Sequence, residues 1–282
     1  FYPYIYMEIL LITITLIILI IASITDLKTR EVPDWLSYSF ILISLATVLI
    51  YSLTTEFIIF IYSLTGFTAM FALGALLYYT KQWGGADAKI LMGLGAVFPI
   101  FGLEYIFILL IAIVFIGGFY SLAWGLAIYI KHLKKANKKL ISLLKEQRTT
   151  RFILVVIAVI ALISMFLVPT IYQILIFSIL ILLIFLFYLT LFVKTVEQIG
   201  LIQLIPTPSV TEGDWLAKSV KHNNKILISN TKTCLVKKDL SLLKKHKIKS
   251  VWIKVGIPFI PAIFLAVLTT IIIYFMGLGF PL

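Results

Sequence analysis

Three scarcities frame this chain of 282 residues. Only 13% of its residues are charged, against 62% hydrophobic and a mean hydropathy of +1.12. Soluble domains carry about a quarter charged residues, so a compact water-soluble globule is excluded, and so is disorder, which needs the opposite composition. One cysteine, Cys234, excludes an internal disulfide and a cysteine-based zinc site. The three histidines, His132, His222 and His246, stand among lysines with no HExxH run, so no metal ligand set and no cofactor is expected. No G-x-S-x-G run or Ser–Lys pair points to a serine nucleophile. Acids are the rarest charge: 12 Asp+Glu against 24 Lys+Arg, a net charge of +12.

What is present in abundance is long apolar runs. A helix crossing the hydrocarbon needs about 20 mostly apolar residues. Eight stretches qualify as candidates, near Glu8–Thr25, Trp35–Ser52, Phe57–Thr80, Ala88–Phe101, Glu104–Ile130, Phe152–Val168, Thr170–Val193 and Gly256–Met276. The fourth is short and Gly-rich, and Pro169 divides the sixth from the seventh. The runs lack the alternation of a barrel wall. The expected fold is therefore an all-α polytopic membrane bundle of about eight spans, or six to seven if the fourth is re-entrant or 152–193 does not cross twice, with a small mixed cytoplasmic segment. The expected organisation is a membrane core over 8–130, a basic cytoplasmic connector over 131–151, two spans over 152–193, a cytoplasmic basic α/β segment over 194–255, and a last span over 256–282.

Lysine and arginine set the orientation. With the N-terminus outside, the inner segments become 26–34, 81–87, 131–151 and 194–255, and every Lys and Arg falls in them or at their edge. Only Glu8, Glu56 and Glu104 remain for the outer face. Both ends are expected outside. The basic residues follow the first apolar run, so that run is not read as a cleavable signal peptide. The basic connector is expected to lie on anionic lipid rather than nucleic acid, for which no binding motif is present. Within 194–255, Lys225–Ser229 and Lys249–Val255 read as strands and Lys237–Lys247 as a helix with Leu240 and Leu243 on one face. Thr211-Glu212-Gly213-Asp214-Trp215 reads first as a turn, and Gly93, Gly95, Gly117 and Gly118 as close helix packing.

The acids near the membrane narrow the function. Asp26 ends the first span and Asp87 follows the third, behind Gly84 and Gly85, both on the inner face. Asp87 could be simply a helix cap and Asp26 an interfacial anion beside Lys28 or Arg30. Two carboxylates brought together would instead share a proton: the ionised member takes a proton from water while the protonated one donates to a substrate carbonyl. The glycine pair would let backbone approach closely and adopt unusual φ.

Asp26-Leu27-Lys28-Thr29-Arg30-Glu31-Val32-Pro33-Asp34 and Gly84-Gly85-Ala86-Asp87-Ala88-Lys89 resemble the two elements of the type IV prepilin peptidase and archaeal preflagellin peptidase family, the GxGD-type membrane aspartyl proteases. Ala86 stands where that motif has glycine. The resemblance covers residues 8–130, with Glu212-Gly213-Asp214 and the final span similar to extensions of archaeal members. It implies a peptidase at the cytoplasmic face of the cell membrane. Such an enzyme cuts the short basic leader from pilin-like or flagellin-like precursors, with Asp26 and Asp87 as the catalytic pair. The cysteine domain of bacterial members is not visible, so N-methylation is not implied. Glu31, Asp34, Gly84, Gly85 and Lys89 are candidate substrate-binding residues. Within the same chemistry, Pro261-Ala262-Ile263 resembles the Pro-Ala-Leu element of signal-peptide-peptidase and presenilin proteases, but Thr25 precedes Asp26 where those have tyrosine. A proton-coupled transporter is the alternative of another class; the acids sit at the membrane edge rather than the midplane, and no inverted repeat is evident.

Overall fold

The computed structural model describes residues 2–222, 225–231 and 234–277. In chain order its helices are α1 (Tyr2–Thr29), α2 (Asp34–Thr54), α3 (Ile58–Tyr79), α4 (Gly85–Val97), α5 (Leu103–Lys131), α6 (Leu133–Glu146), α7 (Arg148–Met165) and α8 (Thr170–Val196). Strands β1 (Ile202–Pro206), β2 (Trp215–Leu216), β3 (Val220–His222) and β4 (Lys225–Ile228) follow, then α9 (Lys237–Lys245), β5 (Ser250–Lys254) and α10 (Ile260–Phe275). Among the described residues, six helices, α1, α2, α3, α5, α7 and α8, are long and apolar enough to cross a membrane. The chain is a polytopic helical membrane protein. The fourth and last expected spans are the short ones, 13 residues in α4 and 16 in α10. Pro169 caps α8 and separates it from α7, as its missing N–H dictates. α7 buries none of its residues, and Phe166 just beyond it is 90% exposed. Such a surface would be prohibitive in water and is neutral against lipid tails.

The chain divides into two compact units, one of residues 1–122, 206–251 and 256–282, the other of 123–205 and 252–255. In the first, α4 is the innermost helix: Ala88, Ile90, Leu91, Leu94, Ala96 and Val97 are all buried, against α3 and α2. Small residues permit this. A Cβ on Gly95 would lie 2.6 Å from the Gly66 carbonyl oxygen, and one on Gly93 would strike the Phe40 ring. Ser63 Oγ donates to the Ala96 carbonyl at 2.6 Å across the same seam. Gly117 likewise admits the Phe259 ring. Gly118 departs from the expectation of close packing, with no atom within 4 Å of a Cβ placed there.

α10 runs antiparallel along α1. Its first amide meets Asp26, near the end of α1. Near its last turn, Tyr274 Oη donates to Glu8 Oε2 at 2.8 Å and its ring meets those of Phe101 and Tyr105 edge-on. The water-exposed part of this unit holds the expected short elements. β3 and β4 pair antiparallel, Lys221 opposite Ile226, and α9 buries Leu243. This part is fastened to the end of α3. Tyr78 Oη and Cys234 Sγ lie 3.3 Å apart, and Lys81 Nζ donates to the Asn230 and Thr231 carbonyls at 3.3 and 3.0 Å.

In the second unit α6 is amphipathic. Ala136 and Leu143 are buried while its lysines point away, and Tyr129 Oη donates to Asn137 Oδ1 at 2.7 Å. One π turn, Glu197–Leu201, extends α8. Lys254 Nζ pairs with Glu197 Oε1 at 2.8 Å, and the Val255 N–H donates to the Leu201 carbonyl at 2.8 Å.

Candidate active site

Asp26 lies in the last turn of α1. That helix stops at Arg30, whose φ of 58° is left-handed, and the Arg30 N–H closes the turn on the Asp26 carbonyl at 2.8 Å. The Arg30 guanidinium donates onward to the Gly256 carbonyl at 3.2 Å. Its side chain thus ties the stretch before α10 to the end of α1 while its charge still acts on the Asp26 carboxylate. Asp26 is only 7% exposed, a burial that demands hydrogen-bond partners. Its Oδ2 accepts the Ile260 N–H at 3.0 Å, and the Phe259 backbone amide reaches the same carboxyl. Ile260 is the first residue of α10, where the amides have no partner inside the helix.

Asp87 is the third residue of α4, so Gly84 rather than Asp87 occupies the cap position. The carboxylate reaches back, and its Oδ2 accepts the Gly84 N–H at 3.1 Å. Gly84 has an ordinary extended conformation, φ −70° and ψ 159°, so unusual φ is not the reason for glycine. The reason is room: a Cβ at 84 would stand 3.1 Å from Asp87 Oδ2. At Gly85 a Cβ would meet only the Tyr78 ring, at 3.6 Å. α4 is too short to span a membrane, and Asp87 sits in its first turn. Burial first, and then the charge of Asp26, push the Asp87 carboxyl up to about 7, against the opposing pull of the Gly84 N–H. Tyr120 of α5 lies within electrostatic range of Asp26 as well.

The remaining candidates pair locally. Lys89 Nζ binds Asp34 Oδ1 at 2.6 Å and sits 4.6 Å over the Tyr38 ring. Glu31 Oε1 accepts the Thr211 hydroxyl at 3.0 Å, and the Thr211 N–H donates to Asp214 Oδ2 at 2.8 Å. Gly213, at φ +102°, makes this segment the turn its composition predicts. Asp214 is raised by burial first, with the Glu31 charge adding and its bonds to Thr211 opposing. The acids of 211–215 thus stand beside Glu31. Among the described residues, no group of three His, Cys, Asp or Glu is arranged to hold a metal ion.

This geometry can be set beside known proteins. A model of the type IV leader peptidase family matches residues 13–122. Residues 13–122 are thus similar to the type IV leader peptidase family. Asp26, Glu31, Asp34, Gly84, Gly85, Asp87 and Lys89 all lie inside the matched residues, whereas Thr211, Asp214, Phe259 and Ile260 lie outside them. Preflagellin peptidase of Methanococcus voltae is 42% identical over 83 residues, 29% of this chain and 35% of that protein. The preflagellin peptidase of Methanocaldococcus jannaschii is 37% identical over 86 residues, again 29% and 35%. The matched part is thus about a third of the length of these curated relatives. No solved structure matches the chain.

Reasoning from sequence missed the α10 amides on Asp26, the Phe259 ring beside Trp83 (centroids 5.2 Å apart), and the Thr211 bond to Glu31. One signal was available. Pro261, in the first turn of α10, marks a helix start whose preceding amide needs an acceptor.

Proposed function

We propose that this protein is a membrane aspartyl endopeptidase. It would remove the short basic leader of pilin-like or archaeal flagellin-like precursors, with Asp26 and Asp87 activating water. The observation that carries this reading is the electrostatic contact between the two carboxyls. Asp26 and Asp87 come from separate helices 61 positions apart in sequence, and the charge of one raises the other. Asp87 at about 7 retains a proton at neutral pH for a good part of its population. It then donates to the scissile carbonyl oxygen. Asp26, oriented by the α10 amides, takes a proton from water, and the resulting hydroxide attacks the carbonyl carbon. The tetrahedral intermediate collapses as the C–N bond breaks. The proton passes from Asp26 to the leaving amine, and Asp87 is reprotonated by the collapsing hydroxyl.

The names of the relatives support the substrate class, and the distribution of Lys and Arg supports a reaction at the cytoplasmic face of the cell membrane, with both termini outside. In this reading the precursor's apolar helix lies in the membrane against the enzyme. Its leader meets the inner edge near Glu31, Gly84 and Gly85, where Asp34 and Lys89 hold the entrance of α4 in place. The lysines of α6 and its flanks face anionic lipid.

The test is direct. Purified protein in detergent is incubated with a preflagellin-type precursor beside Asp26→Ala and Asp87→Ala variants. Wild type should release the leader and each variant should lose cleavage at least a hundred-fold. An intact leader with wild type, or a variant cutting at the wild-type rate, refutes the two-aspartate reading.

A further inference from the structure

We infer that the stretch Gly256–Ile260, which enters α10 from outside the residues matched to the leader peptidase family, is the positioning element of the two-aspartate site, with the Ile260 amide and the Phe259 ring as its working parts. This rests on the function proposed above.

Asp26 stands near the end of its helix with a nearly buried carboxyl, so its direction depends on what it accepts. The Ile260 N–H supplies that at 3.0 Å. This donor is not needed for helix formation. Amides of a helix's first turn have no carbonyl inside the helix to bind, and α10 disposes of each in turn. Pro261 has none to satisfy, and Ala262 and Ile263 donate to the Phe259 carbonyl at 3.0 and 3.2 Å. The Ile260 amide is committed to Asp26 alone. Ile260 itself is fully buried, and Pro258 is buried beside it, so the donor is held by packing and not by a mobile loop.

The adjacent residue reaches the other aspartate's element. The Phe259 ring lies 5.2 Å from the Trp83 ring, centroid to centroid. Trp83 directly precedes Gly84, whose N–H binds Asp87 at 3.1 Å. On its far side the ring fills the space left by Gly117, where a Cβ would stand 2.5 Å from Phe259 Cζ. Arg30 ties the start of the same stretch to the end of α1 through the Gly256 carbonyl. Two consecutive residues therefore touch both aspartate-bearing segments, one through a backbone donor and one through an aromatic contact. The Ile260 N–H orients the Asp26 carboxyl and the Phe259 ring braces the segment that holds Asp87, so both act on the rate of the chemical step and not on substrate affinity. Displacing a reacting group by about 1 Å can cost roughly a hundred-fold in rate.

The experiment replaces the Phe259–Ile260 peptide bond by an ester, using the α-hydroxy acid analogue of isoleucine at position 260, which deletes the one donor and keeps the side chain. Phe259→Ala removes the ring, and Gly118→Ala, where an added Cβ meets nothing within 4 Å, is the control. The full chain in detergent is assayed with the preflagellin-type precursor, with Asp26→Ala as the inactive reference. Folding is checked by thermal unfolding. The ester and Phe259→Ala should each lower kcat at least ten-fold with KM unchanged, while Gly118→Ala stays within two-fold of wild type. If Phe259→Ala does not fold, the ester alone decides. The inference is overturned if wild type cuts and the ester retains wild-type kcat, or if the loss falls on KM, which would make the stretch a substrate-binding surface. A wild-type enzyme that leaves the precursor intact instead overturns the proposed function, and the inference with it.

Discussion

Within residues 13–122, α4 packs so closely on α3 that no side chain fits at Gly95. This is tested by Gly95→Ala. The added Cβ would stand 2.6 Å from the Gly66 carbonyl oxygen and from Met70 Cβ and Cγ, about 0.8 Å inside the 3.4 Å at which ordinary contact begins. Met70 is 1% exposed and cannot swing away, and the Gly66 oxygen belongs to the backbone of α3. Relief therefore requires the two helices to separate. Over-packing of this kind costs about 1–3 kcal/mol. Alanine's better helix propensity returns at most ~1 kcal/mol. The net expectation is a loss of about 1–2 kcal/mol. Gly118→Ala is the matched control. It meets nothing within 4 Å and so keeps only the propensity gain, and it should be neutral or slightly stabilising. Equilibrium unfolding of both variants in mixed detergent micelles measures the difference directly. Asp87 rides on the same helix about 12 Å away at 1.5 Å per residue. Under the proposed function, a separation of α3 from α4 should also lower leader cleavage by folded Gly95→Ala at temperatures where Gly118→Ala cuts at the wild-type rate. Equal stability of the two variants refutes the close approach of α3 and α4.

Two further outcomes follow from individual contacts. The Asp87 carboxyl titrates near 7 in the folded protein, above its ordinary value near 4, so the folded state binds the extra proton between those values. Its contribution to stability is complete below about pH 4 and is lost as pH rises through 7. Unfolding followed from pH 5 to 8 should show wild type weakening and Asp87→Asn with a flatter profile. The Lys89–Asp34 pair is short at 2.6 Å, but the Asp34 side chain is 74% exposed, so Asp34→Ala should shift stability by less than about 1 kcal/mol. A larger loss on thermal unfolding would mean that the pair is shielded from solvent by a neighbour.

What the sequence could announce follows from the kind of interaction involved. α1, α2, α3, α5, α7 and α8 were readable because a membrane span is a property of about 20 consecutive residues, and the break at Pro169 because a missing N–H is local. The strand at Lys225 and the helix from Lys237 were readable by the same logic of short-range period. The pairings were not. Lys89 with Asp34, Thr211 with Glu31 and Ile260 with Asp26 join residues 55, 180 and 234 positions apart, and nothing local to either partner names the other. Glycine was readable only as a class. Gly95 and Gly118 look alike in the chain, yet one is pressed against a backbone oxygen and the other faces open space, a difference made wholly by which helix arrives opposite.

The contact between α1 and α10 marks the boundary most sharply, because both of its halves were visible and only their meeting was not. A nearly buried carboxyl needs donors. A helix that opens with proline in its first turn leaves the amide before that proline without an internal acceptor. Each is a deficit that water cannot make good inside a membrane protein, where every polar backbone group must find a partner in the chain. Asp26 and Ile260 are two such deficits of opposite sign on helices that run antiparallel, and their bond satisfies both. That argument could have been made from sequence as a search for unsatisfied groups. It points to the start of α10 as part of the candidate site even though Ile260 lies 138 residues beyond the last residue matched to the leader peptidase family.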